Sequence, residues 1–120
     1  MTGSEVLQRS LQLLGYSEGN GNSHISQVVR NRALAVVNLV YAELSRNCGK
    51  DNKPINSLSD EIELSDRVLN EIMPCGIAMY LANAEGDANN EAFWGREYNN
   101  KRATLTRVEQ IKDVIPNVWG

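Results

Sequence analysis

The stretch from Leu69 to Asp87, LNEIMPCGIAMYLANAEGD, constrains the possible folds of this chain more than any other. Ile72, Cys75, Gly76, Met79, Tyr80, Leu81 and Ala84 recur at helical spacing and make one broad apolar face. Pro74 interrupts that pattern. It has no amide hydrogen to donate and it crowds the carbonyl of Asn70, so it either kinks the helix or marks its first turn. In a regular helix interior it costs roughly 3 kcal/mol. Gly86 then supplies an easy left-handed stop, and Asp87 can cap whatever follows. Gly76 and Ala78 are small enough to let another helix approach closely. A short helix of this kind is a packing element for the rest of the chain, and it carries no evident chemistry.

Around it the chain offers 120 residues, which suits one domain over 1–120 with a single core. With one Phe, two Trp and four Tyr, that core must be built mainly from Leu, Ile, Val and Ala. The formal charge of -3 gives no general reason to bind nucleic acid or an anionic membrane. Cys48 and Cys75 form no CxxC pair, and Cys75 falls on the apolar side of the central helix. A buried free thiol in a reducing compartment is expected. No apolar run approaches the roughly 20 residues that span a bilayer, and MTGSEVLQRS lacks the basic-then-apolar layout of a secretion signal. The expectation is a soluble intracellular or assembled protein with no membrane partner.

In chain order, Thr2 or Ser4 can cap a first helix with the stripe Leu7, Leu11 and Leu14, ending near Gly15. YSEGNGNSH reads as a loop, and without a GK[ST] sequence it is no phosphate cradle. A second helix runs from about Ser26 to Leu44. It is almost continuously apolar between Ala33 and Ala42, broken only by Asn38, which predicts cover on more than one face. The irregular stretch 47–66 is rich in turn residues, then places Ile55, Leu58, Ile62 and Leu64 among Ser, Asp and Glu. Loops this long are uncommon in compact domains. These apolar residues need a partner surface, either the domain's own core or a neighbouring subunit. A last helix follows from Asp87 or Asn89 to about Lys112, with Phe93, Tyr98, Leu105, Val108 and Ile111 on its buried side. Pro116 should stop it, leaving 113–120 as an extended apolar tail. The predicted fold class is all-α: a small bundle of about four helices, a long loop between the second and third, and a C-terminal tail.

Residues that bear chemistry are sparse. His24 is the sole histidine, in a loop rich in Gly and Asn and with no second His to share a metal, so it reads as a solvated loop residue. Asp60, Glu61, Glu63 and Asp66 lack the EF-hand pattern. They read as a solvated edge, with Asp66 as a helix cap. Glu85, Asp87 and Glu91 alternate with capping residues. No catalytic, metal or cofactor site is expected, and no enzyme. Arg96, Lys101, Arg102 and Arg107 concentrate basic charge on the last helix. Lys101, Arg102 and Arg107 could touch phosphates, which supports an alternative reading as a small DNA-binding or packaging regulator, although Glu97 and Glu109 share the segment.

Several motifs in fixed order resemble a known family. ALAVVNLVYAEL, then SLSDEIELSDRVLNEIMPCGIAMYLANAEGD, then EAFWGREYNNKRATL look like the small helical head–tail connector (adaptor, or head-completion) proteins of tailed bacteriophages and prophages. The similar positions are Asn38, Tyr41, Glu43 and Leu44 in the second helix, and Asp60, Ile62 and Leu64 in the loop. Pro74, Gly76, Ala78, Leu81, Ala82, Gly86 and Asp87 follow, then Phe93 or Trp94, Tyr98 and Arg102. The likeness covers roughly residues 34 to 107. Met73 stands where Leu is usual, and Ser65 where a proline precedes the acidic cap.

The resemblance implies a structural subunit of a ring, usually dodecameric, docked beneath the portal at the capsid vertex. The ring extends the DNA channel and presents a surface to the next head-completion or tail protein. It further implies partners in the portal protein and neighbouring copies, and DNA that passes through without specific binding. The location implied is the virion head–tail junction, reached from the host bacterial cytoplasm during assembly. Neighbour and portal contacts are expected from the loop and the C-terminal segment, which makes Ile55, Leu58, Ile62, Leu64, Ile115, Val118 and Trp119 the candidate interface residues. Monomers in solution that form rings only on the portal are compatible with this, and an acidic chain suits a conduit along which DNA must slide.

Overall fold

Thr2 starts the first helix as its side chain dictates. The Glu5 amide donates to Thr2 Oγ1 at 3.2 Å, and the Thr2 amide donates back to Glu5 Oε1 at 2.8 Å. That reciprocal cap opens α1 (Gly3–Leu14), which Gly15 closes in the left-handed conformation. A computed structural model describes the backbone of residues 1–15 and 27–119 and the side chains of residues 1–15 and 31–105. The glycine–asparagine loop with His24 lies outside the described residues. The fold is all-α, with α2 (Gln27–Asn47), α3 (Met73–Ala84) and α4 (Ala88–Trp119) following α1. Among the described residues, strand-like pairing is confined to an isolated bridge between Thr2 and Glu61. None of the described helices is long and apolar enough to cross a membrane.

The central helix resolves its proline by changing register. Ser65, not Asp66, caps it: the Val68 amide donates to Ser65 Oγ at 3.4 Å and the Leu69 amide to its carbonyl at 3.0 Å. Helical residues from 66 then widen into a π turn at Val68–Ile72, closed by the Met73 amide donating to the Val68 carbonyl. The α-helical register restarts at Met73, so Pro74 falls in the first turn of α3, where its missing N–H costs no bond. Every residue from Ile72 to Ala78 is buried, and α1, α2 and α4 all pack on α3. The approach of α4 is close because Gly76 has no side chain; a Cβ there would lie 2.7 Å from the Tyr98 ring.

The loop is pinned rather than draped. Asn38, the one polar residue in the apolar run of α2, donates from Nδ2 to the Ile55 carbonyl at 2.9 Å. Its Oδ1 accepts from the Ile55 amide at 2.8 Å, satisfying both halves of that peptide position. Tyr41 Oη accepts from the Glu63 amide at 3.0 Å. The start of the chain runs alongside: the Gly3 and Ser4 amides donate to the carbonyls of Asp60 and Leu58, and the Ile62 amide to that of Met1.

Three expectations need correction. The last helix does not stop at Pro116 but runs through it to Trp119, so 113–119 is helical rather than an extended tail. A proline so near the end of a helix already propagated costs it one backbone bond, not its continuation. On α4, Phe93 is 44% exposed while its neighbour Trp94 is half-buried and Gly95 buried. Phe93 thus falls outside the buried side expected of it, while Tyr98 and Leu105 keep to that side and Trp94 takes the place of Phe93. On α1, Val6 is fully buried and Leu7 only partly so. The expected cover of α2 on more than one face holds, with α1, α3 and α4 all packed against it, while Leu39 stays 44% exposed.

Candidate functional site: a carboxylate shared by three helices

The densest polar cluster lies where α2, α3 and α4 meet. Glu43 and Asn47 are one turn apart on α2, and Tyr98 and Arg102 one turn apart on α4, so each helix offers two polar side chains from one face. Tyr80 Oη, from α3, donates to Glu43 Oε2 at 2.7 Å, and Tyr98 Oη donates to Glu43 Oε1 at 2.7 Å. Arg102 Nη1 lies 3.7 Å from the same Oε1, its Nε donates to Asn47 Oδ1 at 2.8 Å, and its guanidinium sits 5.3 Å over the Tyr98 ring. The Glu43 side chain is 15% exposed and Tyr98 not at all. Two phenols and a guanidinium saturate the carboxylate, and short charge-assisted bonds of this kind are the strong ones.

Burial, then the hydrogen bond to Glu43, then its negative charge push the Tyr80 phenol up to about 12; the same causes raise Tyr98 further. Both phenols are therefore neutral donors at physiological pH. The arrangement ties three helices together and leaves no unsatisfied nucleophile or base at its centre. An alkaline signature follows. Below the ordinary tyrosine value of 10.0, folded and unfolded chains both keep these protons and the contribution to stability is complete. Between about 10 and 12 the unfolded chain releases protons the folded chain retains, so stability falls as pH rises, and it goes on falling above that because of Tyr98. Thermal unfolding measured against pH should show that decline, and Tyr98→Phe should make it shallower.

Of the candidate interface residues, Ile55, Ile62 and Leu64 are 7%, 3% and 8% exposed and belong to the main core cluster, with Leu58 partly buried against it. The open choice between the domain's own core and a neighbour is thus decided for the core. Ile55, Ile62 and Leu64 are covered within one subunit, and Leu58 is covered in part. The cause is the pair of pins from Asn38 and Tyr41, which fold the loop back over α2. Ile115, Val118 and Trp119 lie on the last turns of α4, and their side chains are outside the described residues.

The acidic residues of the loop disperse. Asp60 accepts from the amides of Asn56 and Ser57, Glu61 pairs with the terminal amine at 3.2 Å, and Glu63 lies 3.8 Å from Lys53. Asp87 caps α4 through the Asn90 amide, and Glu91 accepts from Asn83. Among the described residues no group of His, Cys, Asp and Glu could hold a metal. Cys75 is a buried thiol whose pKa burial raises, with Lys101 Nζ 4.0 Å from its sulfur, and neither it nor Cys48 is in a disulfide. Lys101 donates to the Glu71 carbonyl, so two of the three basic residues read as able to touch phosphates, Lys101 and Arg102, are engaged with the fold itself. A surface groove of about 410 Å³ runs between α1, α3 and α4 past Leu13, Pro74 and Trp94. No family model, curated protein or solved structure matches this chain.

The hub at Glu43 was not legible as such. Its sequence signals are that Glu43, Tyr98 and Arg102 stand among the positions of the resemblance and that Glu43 and Asn47, like Tyr98 and Arg102, are four residues apart; neither signal pairs the two helices.

Proposed function

We propose that this protein is a structural subunit of the head–tail connector of a tailed bacteriophage or prophage. It docks as a ring on the portal protein, extends the DNA channel and passes the assembly on to the next head-completion or tail protein. One observation carries this reading beyond the sequence resemblance. The motif residues that set the resemblance are those that fix the shape of the subunit: Asn38 and Tyr41 hold the loop, Glu43, Tyr98 and Arg102 tie the helices, and Gly76 admits α4. A motif set spent on holding a loop and three helices in place suits a load-bearing block better than a reactive centre. Ring closure needs a heterologous contact between copies. With the loop covered, that contact falls to the helix faces and to the last turns of α4.

The test is co-assembly. The chain, mixed with the portal protein of the same phage or prophage, should form rings on the portal visible by electron microscopy, and truncation of Pro116–Gly120 should leave the monomer folded while abolishing docking. Duplex DNA should bind weakly if at all. A tight DNA affinity that falls steeply with salt would instead mark the regulator reading and overturn this one.

A further inference from the structure

We draw no further inference here: the strongest candidate, the surface groove between α1, α3 and α4 that runs past Leu13, Pro74 and Trp94, carries nothing, because Arg9 and Lys101 line it together with Glu71 and nothing in the structure shows what covers it.

Discussion

Glu43→Ala should lower the stability of the isolated chain by about 3 kcal/mol, the lower end of what removing one partner of a buried ion pair costs. The lower end applies because Arg102, at 32% exposed, recovers some water, whereas the Tyr98 hydroxyl recovers none. In a chain of 120 residues this corresponds to a fall of about 10 °C in the melting midpoint. Glu43→Gln retains one acceptor for one phenol and should cost about half as much. Tyr98→Phe removes a single bond to a charged acceptor, about 1.5 kcal/mol or more. The Glu43 and Tyr98 changes share that bond, so their sum should exceed the loss in the double variant, a non-additivity of about 1 kcal/mol or more. Thermal and urea unfolding of the four proteins would measure it. Additive losses, or a Glu43→Ala midpoint close to the parent's, would show that the carboxylate merely sits beside the phenols.

Such a hub shows where reading the sequence reaches its limit. Periodicity tells which face of a helix is buried, and it found the central helix, its proline problem and the stop at Gly86 because those are local. Glu43 meets Tyr80 and Tyr98 across 37 and 55 residues of chain, and no local pattern encodes a pairing of that range. Asn38 was conspicuous as the lone polar residue in an apolar run, yet only the fold reveals its partner at Ile55. Where the reading slipped, it slipped by small amounts for physical reasons. The buried face of α4 passes between the adjacent aromatics Phe93 and Trp94, and a single-residue phase error exchanges them. Ser65 takes the cap expected of Asp66 because its hydroxyl reaches the Val68 amide. The apolar residues of the loop were rightly singled out as needing cover, but apolarity names a need, not the surface that meets it.

That last distinction can be measured. Ile62→Ala should destabilise the dilute, monomeric chain by about 3 kcal/mol, within the range for truncating a buried isoleucine and leaving its cavity. Ile62 is 3% exposed, and its amide donates to the Met1 carbonyl at 2.9 Å, so the site is held from both sides and has little freedom to collapse. Asn38→Ala should cost about 2 kcal/mol, because it leaves the amide and carbonyl of Ile55 without their partners in a part-buried place. It should also speed hydrogen exchange at the Ile55 amide, and at the Glu63 amide if the loop lifts as a unit. Were these residues a surface waiting for a neighbour, both substitutions would shift the monomer by no more than about 0.5 kcal/mol and act only on assembly. Urea unfolding of the monomer therefore decides whether the loop is part of the core. Should it prove so, ring contacts in this protein fall to the helix faces and to the last turns of α4.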